Sequence, residues 1–226
     1  MEFNNRILWL FSVFGVEVWI TESIFNTWVI MALLIVIALL IRLQMSKFKN
    51  IPGGLQNAVE AVIETFDNFV KNSAGEKLMG LGSWFFMVFL FVLVSNLSGI
   101  IGVRPPTADW ATTFAFAFAT FILIQAVGIK YRKGKYFKSF IEPNFIFFPL
   151  NIIGEIARPI SLSFRLFGNV LAGVILTSLI YSMPVYLRFV IPVAVHAYFD
   201  LITGVLQTYI FCTLSLAFIG TAASSA

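Results

Sequence analysis

The residues best placed to do chemistry are ionisable groups inside segments that contain almost nothing else polar. On one long apolar stretch Asn151, Glu155, Arg158, Arg165 and Asn169 follow one another at spacings of four, three, seven and four. In a helix those spacings put all five near one face. On the next stretch His196, Asp200, Thr203 and Gln207 step by four, three and four, again a single face. Arg165 is the sharpest case, since it stands 27 residues beyond Lys138 and 23 before Arg188. A cation at the bilayer centre costs ~2.5–3.5 kcal/mol on insertion scales, and one kept there generally has a functional reason. The bland alternatives are snorkelling of the long side chain and a silent ion pair. Arginine keeps its proton where a buried lysine can lose it, so it cannot ferry protons itself. Its field favours the ionised form of any carboxylate brought near it. Arg165 is therefore expected to couple ions, with Asp200 and Glu155 as relay carboxylates. Glu155 lies ten residues before Arg165, about 15 Å of helix, which is too far for contact and suits a separate aqueous access. His196 reads first as a packing histidine, and Arg158 as a partner of Glu155 or a side chain that reaches inner water.

The elements that must carry these groups are membrane spans. Of the 226 residues, 59% are hydrophobic and only 12% charged, with a mean hydropathy of +0.92. Soluble domains are nearer half apolar and a quarter charged, so the excess faces lipid. The net charge of +4 does not indicate nucleic acid, because the basic residues sit between apolar runs where they set topology. Cys212 is alone in an apolar run and excludes an intrachain disulfide. No metal cluster, nucleotide loop or nucleophile–base arrangement is present in the sequence, so neither a cofactor, a metal nor a catalytic residue is expected. The opening residues lack a small-residue cleavage site and carry Glu2, so they are expected to stay in the mature chain.

We expect an all-α membrane protein, one integral domain over residues 1–226. It comprises about five transmembrane helices, one amphipathic surface helix and a strongly tilted hairpin formed by the last two long helices. An outer segment, 1–23, leads to a first span over 24–42. An amphipathic inner helix follows over 55–72, where Leu55, Val59, Val62, Phe66 and Phe69 recur at helical spacing opposite Glu60, Glu64, Asp67 and Lys71. It lies on the membrane surface or against partner helices. A helical hairpin occupies 83–129, interrupted by the turn Arg104-Pro105-Pro106-Thr107. The segment 142–222 carries the polar stripes and is broken at Ser182-Met183-Pro184. About 40 residues of helix reach ~60 Å against a hydrocarbon core of roughly 30 Å. Each arm must therefore lean, kink or leave the bilayer; Pro143, Pro149 and Pro159 leave a broken helix open.

Positive charge gives the orientation. With the amino terminus outside, the inner loops hold Arg42, Lys47, Lys49, Lys71, Lys77 and the five basic residues between Lys130 and Lys138, against Arg6, Arg104 and Arg188 outside. That asymmetry places the carboxyl end inside.

At this point the residues resemble a family. The run Arg158-Pro-Ile-Ser-Leu-Ser-Phe-Arg165-Leu-Phe-Gly-Asn169-Val-Leu-Ala-Gly173 is similar to the signature of subunit a of bacterial F-type ATP synthases. Tyr198-Phe-Asp200 and Leu206-Gln207-Thr-Tyr-Ile-Phe211 resemble the family's second motif, and Asn96-Leu-Ser-Gly99 with Pro106-Thr107-Ala-Asp109 fits as well. The resemblance covers essentially the whole chain. It implies a non-catalytic stator subunit of the bacterial cell membrane, beside a rotating ring of c subunits, the peripheral-stalk b subunits and the rest of the complex. No nucleic acid is implied, and the transported ion is a proton or sodium. It also implies two offset half-channels: Asn169, Asp200, Gln207 and His196 on the outer side, and Glu155, Asn151 and Ser161 on the inner side, with Arg165 between. The chain departs from the family pattern in two places. Many members carry an acid where this chain has Val174, and a histidine where it has Asp200. A self-contained secondary transporter and a purely structural membrane subunit are the alternatives; no internal repeat supports the first.

Overall fold

The computed structural model describes residues 7–13, 16–46, 48–49, 52–141, 144–182, 184 and 191–224. Arg6, Lys47 and Arg188 of the charge argument, and Glu2, Glu142, Pro143, Met183 and Leu187, lie outside the described residues.

Five helical stretches among the described residues are long and apolar enough to cross a membrane: Glu22–Met45, Glu76–Ile101, Trp110–Arg132, Phe145–Tyr181 and Ile191–Ala223. The chain is an all-α, multi-pass membrane protein with one small exception at its start. Strands β1 (Ile7–Val13) and β2 (Val16–Thr21) pair antiparallel. The sequence reading left this stretch as an unassigned outer segment. Its first strand is apolar at all but one position, so it lacks the alternation that marks a half-buried strand. Trp9 meets Phe25 edge-on, with ring centroids 6.1 Å apart.

Helices α1 (Glu22–Met45), α2 (Gly54–Ala74), α3 (Gly82–Leu97), α4 (Trp110–Arg132), α5 (Gly134–Ser139), α6 (Phe148–Tyr181), α7 (Ile191–His196) and α8 (Gly204–Ala223) follow. Tight 3-10 turns prolong α3 over Ser98–Ile101 and precede α6 over Phe145–Phe147. A π-helical stretch, Ala197–Thr203, joins α7 to α8. Helix α6 runs unbroken through Pro159, so the proline does not divide it. Having no N–H, Pro159 leaves the Glu155 carbonyl one turn earlier without its helical donor.

The helices contribute to two compact units, Met1–Ala38 with Leu90–Thr113 and Phe164–Thr208, and Leu39–Phe89 with Phe114–Ser163 and Tyr209–Ala226. The first unit is knit by Asn96, which is buried in α3. Its amide donates to the Gly204 carbonyl at 3.1 Å and to Thr208 Oγ1 at 3.2 Å, while Thr107 Oγ1 donates to Asn96 Oδ1 at 2.7 Å. Each of these polar groups would cost heavily if left bare in an apolar interior, so they specify how the helices meet. Asn26 likewise donates to the Arg104 carbonyl at 3.0 Å.

In the second unit the amphipathic helix α2 packs by its carboxyl-terminal half. Phe66 and Val70 are buried, whereas Leu55, Val62 and Ile63 remain exposed. Phe66 meets Phe86 and Phe89 edge-on at 5.1 and 5.7 Å, and Phe69 meets Tyr209 at 5.5 Å. Gly220 of α8 permits this approach, since a Cβ there would stand 3.2 Å from the Ala74 Cα. Of the two settings expected for α2, contact with partner helices describes this half.

Candidate functional site

Arg165 lies 17 residues from the first residue of α6 and 16 from the last. That leaves roughly 24–26 Å of helix on either side. Its neighbours Leu162, Ser163 and Leu166 are buried, but Arg165 and Phe164 are exposed on the chain's surface. Phe164 stacks on Trp110 with centroids 5.9 Å apart. Among the described residues, no acid forms an ion pair with Arg165.

The first unit contains a cavity of about 550 Å³, whose lining includes Asp200, His196, Tyr181, Val174, Glu22 and Arg104. Asp200 Oδ2 lies 2.5 Å from His196 Nδ1, and the Tyr181 ring lies beside the imidazole at 6.5 Å. His196, read from the sequence first as a packing residue, is thus the direct partner of Asp200. The π-helical stretch carries Asp200, and such insertions recur at functional sites. Gly99 makes room for the carboxylate: a Cβ there would stand 2.7 Å from both Asp200 Cγ and Oδ2.

Asn169 and Gln207 meet elsewhere in this unit. Asn169 Nδ2 donates to Gln207 Oε1 at 2.8 Å. Gln207 is buried, and its own Nε2 has no hydrogen-bond partner among the described residues. Neither residue belongs to the cavity lining. The four residues that the family resemblance groups on the outer side therefore form two pairs. The π-helical stretch that carries Asp200 ends at Thr203, and it shifts the helical phase that the 3.6-residue repeat assumes.

The second unit has its own cavity, of about 400 Å³, whose lining includes Asn151, Glu155, Arg158, Arg132 and Tyr136. Glu155 Oε1 pairs with Arg158 Nη1 at 2.5 Å, and the Arg158 guanidinium covers the Phe218 ring at 5.1 Å. Asn151 Nδ2 donates to the Phe140 carbonyl at 2.9 Å. Ser161, placed with this group from the sequence, is exposed and outside the lining.

Several residues here carried no sequence signal. Glu22 enters no sequence motif, and Arg104 reads from the sequence only as an outer-side charge in a turn. Tyr136 stands in a loop of five basic residues, where a solvated face is the default reading. A tyrosine flanked by lysines and yet buried is recognisable only from structure.

Comparison with known proteins decides the family. The family described as ATP synthase A chain matches residues 24–220. The chain belongs to that family. The chain is 34% identical over 202 residues to ATP synthase subunit a of Moorella thermoacetica, covering 88% of this chain and 89% of that protein. It is 34% identical over 210 residues to ATP synthase subunit a 2 of Syntrophotalea carbinolica, with 91% and 87% covered. With ATP synthase subunit a of Desulfosudis oleivorans the identity is 38% over 173 residues, 72% of each chain. For this subunit a family member the coarse role is participation in the membrane ion channel of ATP synthase. The motif residues around Arg165, Asn169 and Gln207 all fall within the matched span.

Proposed function

We propose that the chain is the stationary, non-catalytic subunit that loads and unloads ions on a rotating ring of carboxylate-bearing c subunits. The observation that carries this reading is Arg165, a permanent cation exposed in the middle of α6 with no acid paired to it among the described residues. Such a charge is costly in lipid and cheap beside an ionised acid on a neighbouring subunit.

The two cavities then act as half-channels. An ion entering from outside reaches the His196–Asp200 pair and neutralises a ring carboxylate near Asn169 and Gln207. The unpartnered Gln207 Nε2 is a donor available to water or to that carboxylate. Once neutral, the carboxyl group crosses lipid at little cost and travels round the ring. At the inner cavity, bounded by Glu155 and Asn151, it discharges. Arg165 attracts the ionised form and blocks a direct ion leak between the half-channels. Each charge crossing yields about 2.3 kcal/mol per 100 mV, so several crossings drive one ATP. The amino terminus faces outward and the carboxyl terminus the cytoplasm, with the b subunits and the rest of the complex as further partners.

Asp200 offers the test of this reading. Asp200→Asn in reconstituted complexes is expected to slow ion uptake from the outer side roughly a hundredfold or more, since a positioned proton-transfer group typically contributes about 10²–10⁴-fold. Uptake measured from an imposed gradient at the wild-type rate would remove Asp200 from the pathway.

A further inference from the structure

We infer that Tyr136 is a positioning residue for Glu155, acting through Gln125. This rests on the inner half-channel reading above and names parts of that site beyond the motif.

The short helix α5 folds back beside α4 after Lys133, whose backbone is left-handed with φ of 48°. The reversal brings Tyr136 against α4 at Gly128. A Cβ on Gly128 would stand 2.7 Å from Tyr136 Cζ and 2.8 Å from Cδ2, so only glycine leaves the slot open. Phe137 and Phe140 meet the same ring edge-on at 6.1 and 5.2 Å. Tyr136 is only 5% exposed, while Lys133, Lys135 and Lys138 around it are exposed.

The seated phenol starts a directional chain. Tyr136 Oη donates to Gln125 Oε1 at 2.8 Å, and Gln125 Nε2 donates to Glu155 Oε2 at 3.4 Å. Glu155 Oε1 is held by Arg158. Burial pushes the Tyr136 phenol above its ordinary value, and the Glu155 charge adds to the rise. The hydroxyl therefore keeps its proton near neutrality and donates it. A carboxamide facing that donor must present its oxygen, which turns its N–H₂ toward Glu155. Without the hydroxyl nothing fixes the amide, and the turned-over form would set a carbonyl oxygen against a carboxylate. Tyr136 thus keeps a donor on one Glu155 oxygen while Arg158 occupies the other, which holds the acid in the cavity wall.

The experiment uses the whole complex in liposomes, with ATP-driven pumping and gradient-driven synthesis measured for Tyr136→Phe, Gln125→Leu, Glu155→Gln and the double variants. Tyr136→Phe keeps the ring in its slot and removes one hydroxyl. Both rates should fall roughly three- to tenfold, the weight of one neutral hydrogen bond, with assembly unchanged. In the Glu155→Gln background the same substitution should add nothing, a non-additivity that a merely structural role would not produce. Gln125→Leu breaks the middle link without entering the slot and should show the same loss and the same non-additivity. Full rates in Tyr136→Phe or Gln125→Leu, or losses that multiply with Glu155→Gln, overturn the inference. If Glu155→Gln slows turnover while those two do not, this inference alone fails. Full rates in Glu155→Gln bring down the inner half-channel reading with it.

Discussion

Arg165→Ala is expected to abolish ion-driven ATP synthesis while the complex still assembles. The two halves of that expectation have separate causes. Assembly survives because the Arg165 side chain lies on the chain's surface and has no ion pair among the described residues, so its removal opens no internal cavity. Coupling fails because nothing else in the middle of α6 draws the ring's acid into its ionised form. Removing a preorganised charge of this kind usually costs 10²–10³ in rate. A loss of at least roughly two orders of magnitude is therefore expected in liposomes carrying an imposed gradient. Arg165→Lys should recover only part of it, because an ammonium can discharge in apolar surroundings and lacks the planar fork. Coupled synthesis at the normal rate in Arg165→Ala would contradict the role assigned to this residue.

Gly99→Ala is the second large effect, and it involves a residue with no chemistry of its own. The added methyl would stand 2.7 Å from the Asp200 carboxylate, well inside contact distance. Asp200 must then leave its place in the cavity or part from His196. Overpacking of this kind typically costs ~1–3 kcal/mol, which corresponds to roughly tenfold or more if it falls on the transport step. Outer-side ion uptake in Gly99→Ala should fall, as in Asp200→Asn, here by roughly tenfold or more. The double variant Gly99→Ala/Asp200→Ala should recover any loss of assembly without recovering uptake, since the clash is gone but so is the acid. Wild-type uptake in Gly99→Ala would mean that the position of Asp200 against Gly99 does not matter to transport.

Much of this was legible in the sequence, and the exceptions have physical reasons. The long apolar runs announced the membrane helices, because a bilayer tolerates few charges over about 20 residues. Arg165 stood out for the same reason, in the company of Asn169 and Gln207. The β1–β2 hairpin did not, since β1 is apolar at all but one position and so has no alternating signature. Nor did the π-helical stretch at Ala197–Thr203, which no residue pattern announces and which separates the Asp200 and Gln207 pairs. Equal spacing on paper assumed a uniform helix. Helix α6 withstood Pro159, a residue that left a break open, because a membrane helix can lose one internal hydrogen bond when its surroundings compensate. The chain from Tyr136 to Glu155 spans |i−j| steps of 11 and 30, and such contacts exist only once α4, α5 and α6 have met.

The most direct measurement is a density map of the assembled complex in a lipid nanodisc, resolved well enough to see what faces the Arg165 guanidinium. The account predicts a carboxylate of the neighbouring ring opposite it, at mid-bilayer depth. A guanidinium found among the lipid headgroups, or against acyl chains with no acid across from it, would contradict the account.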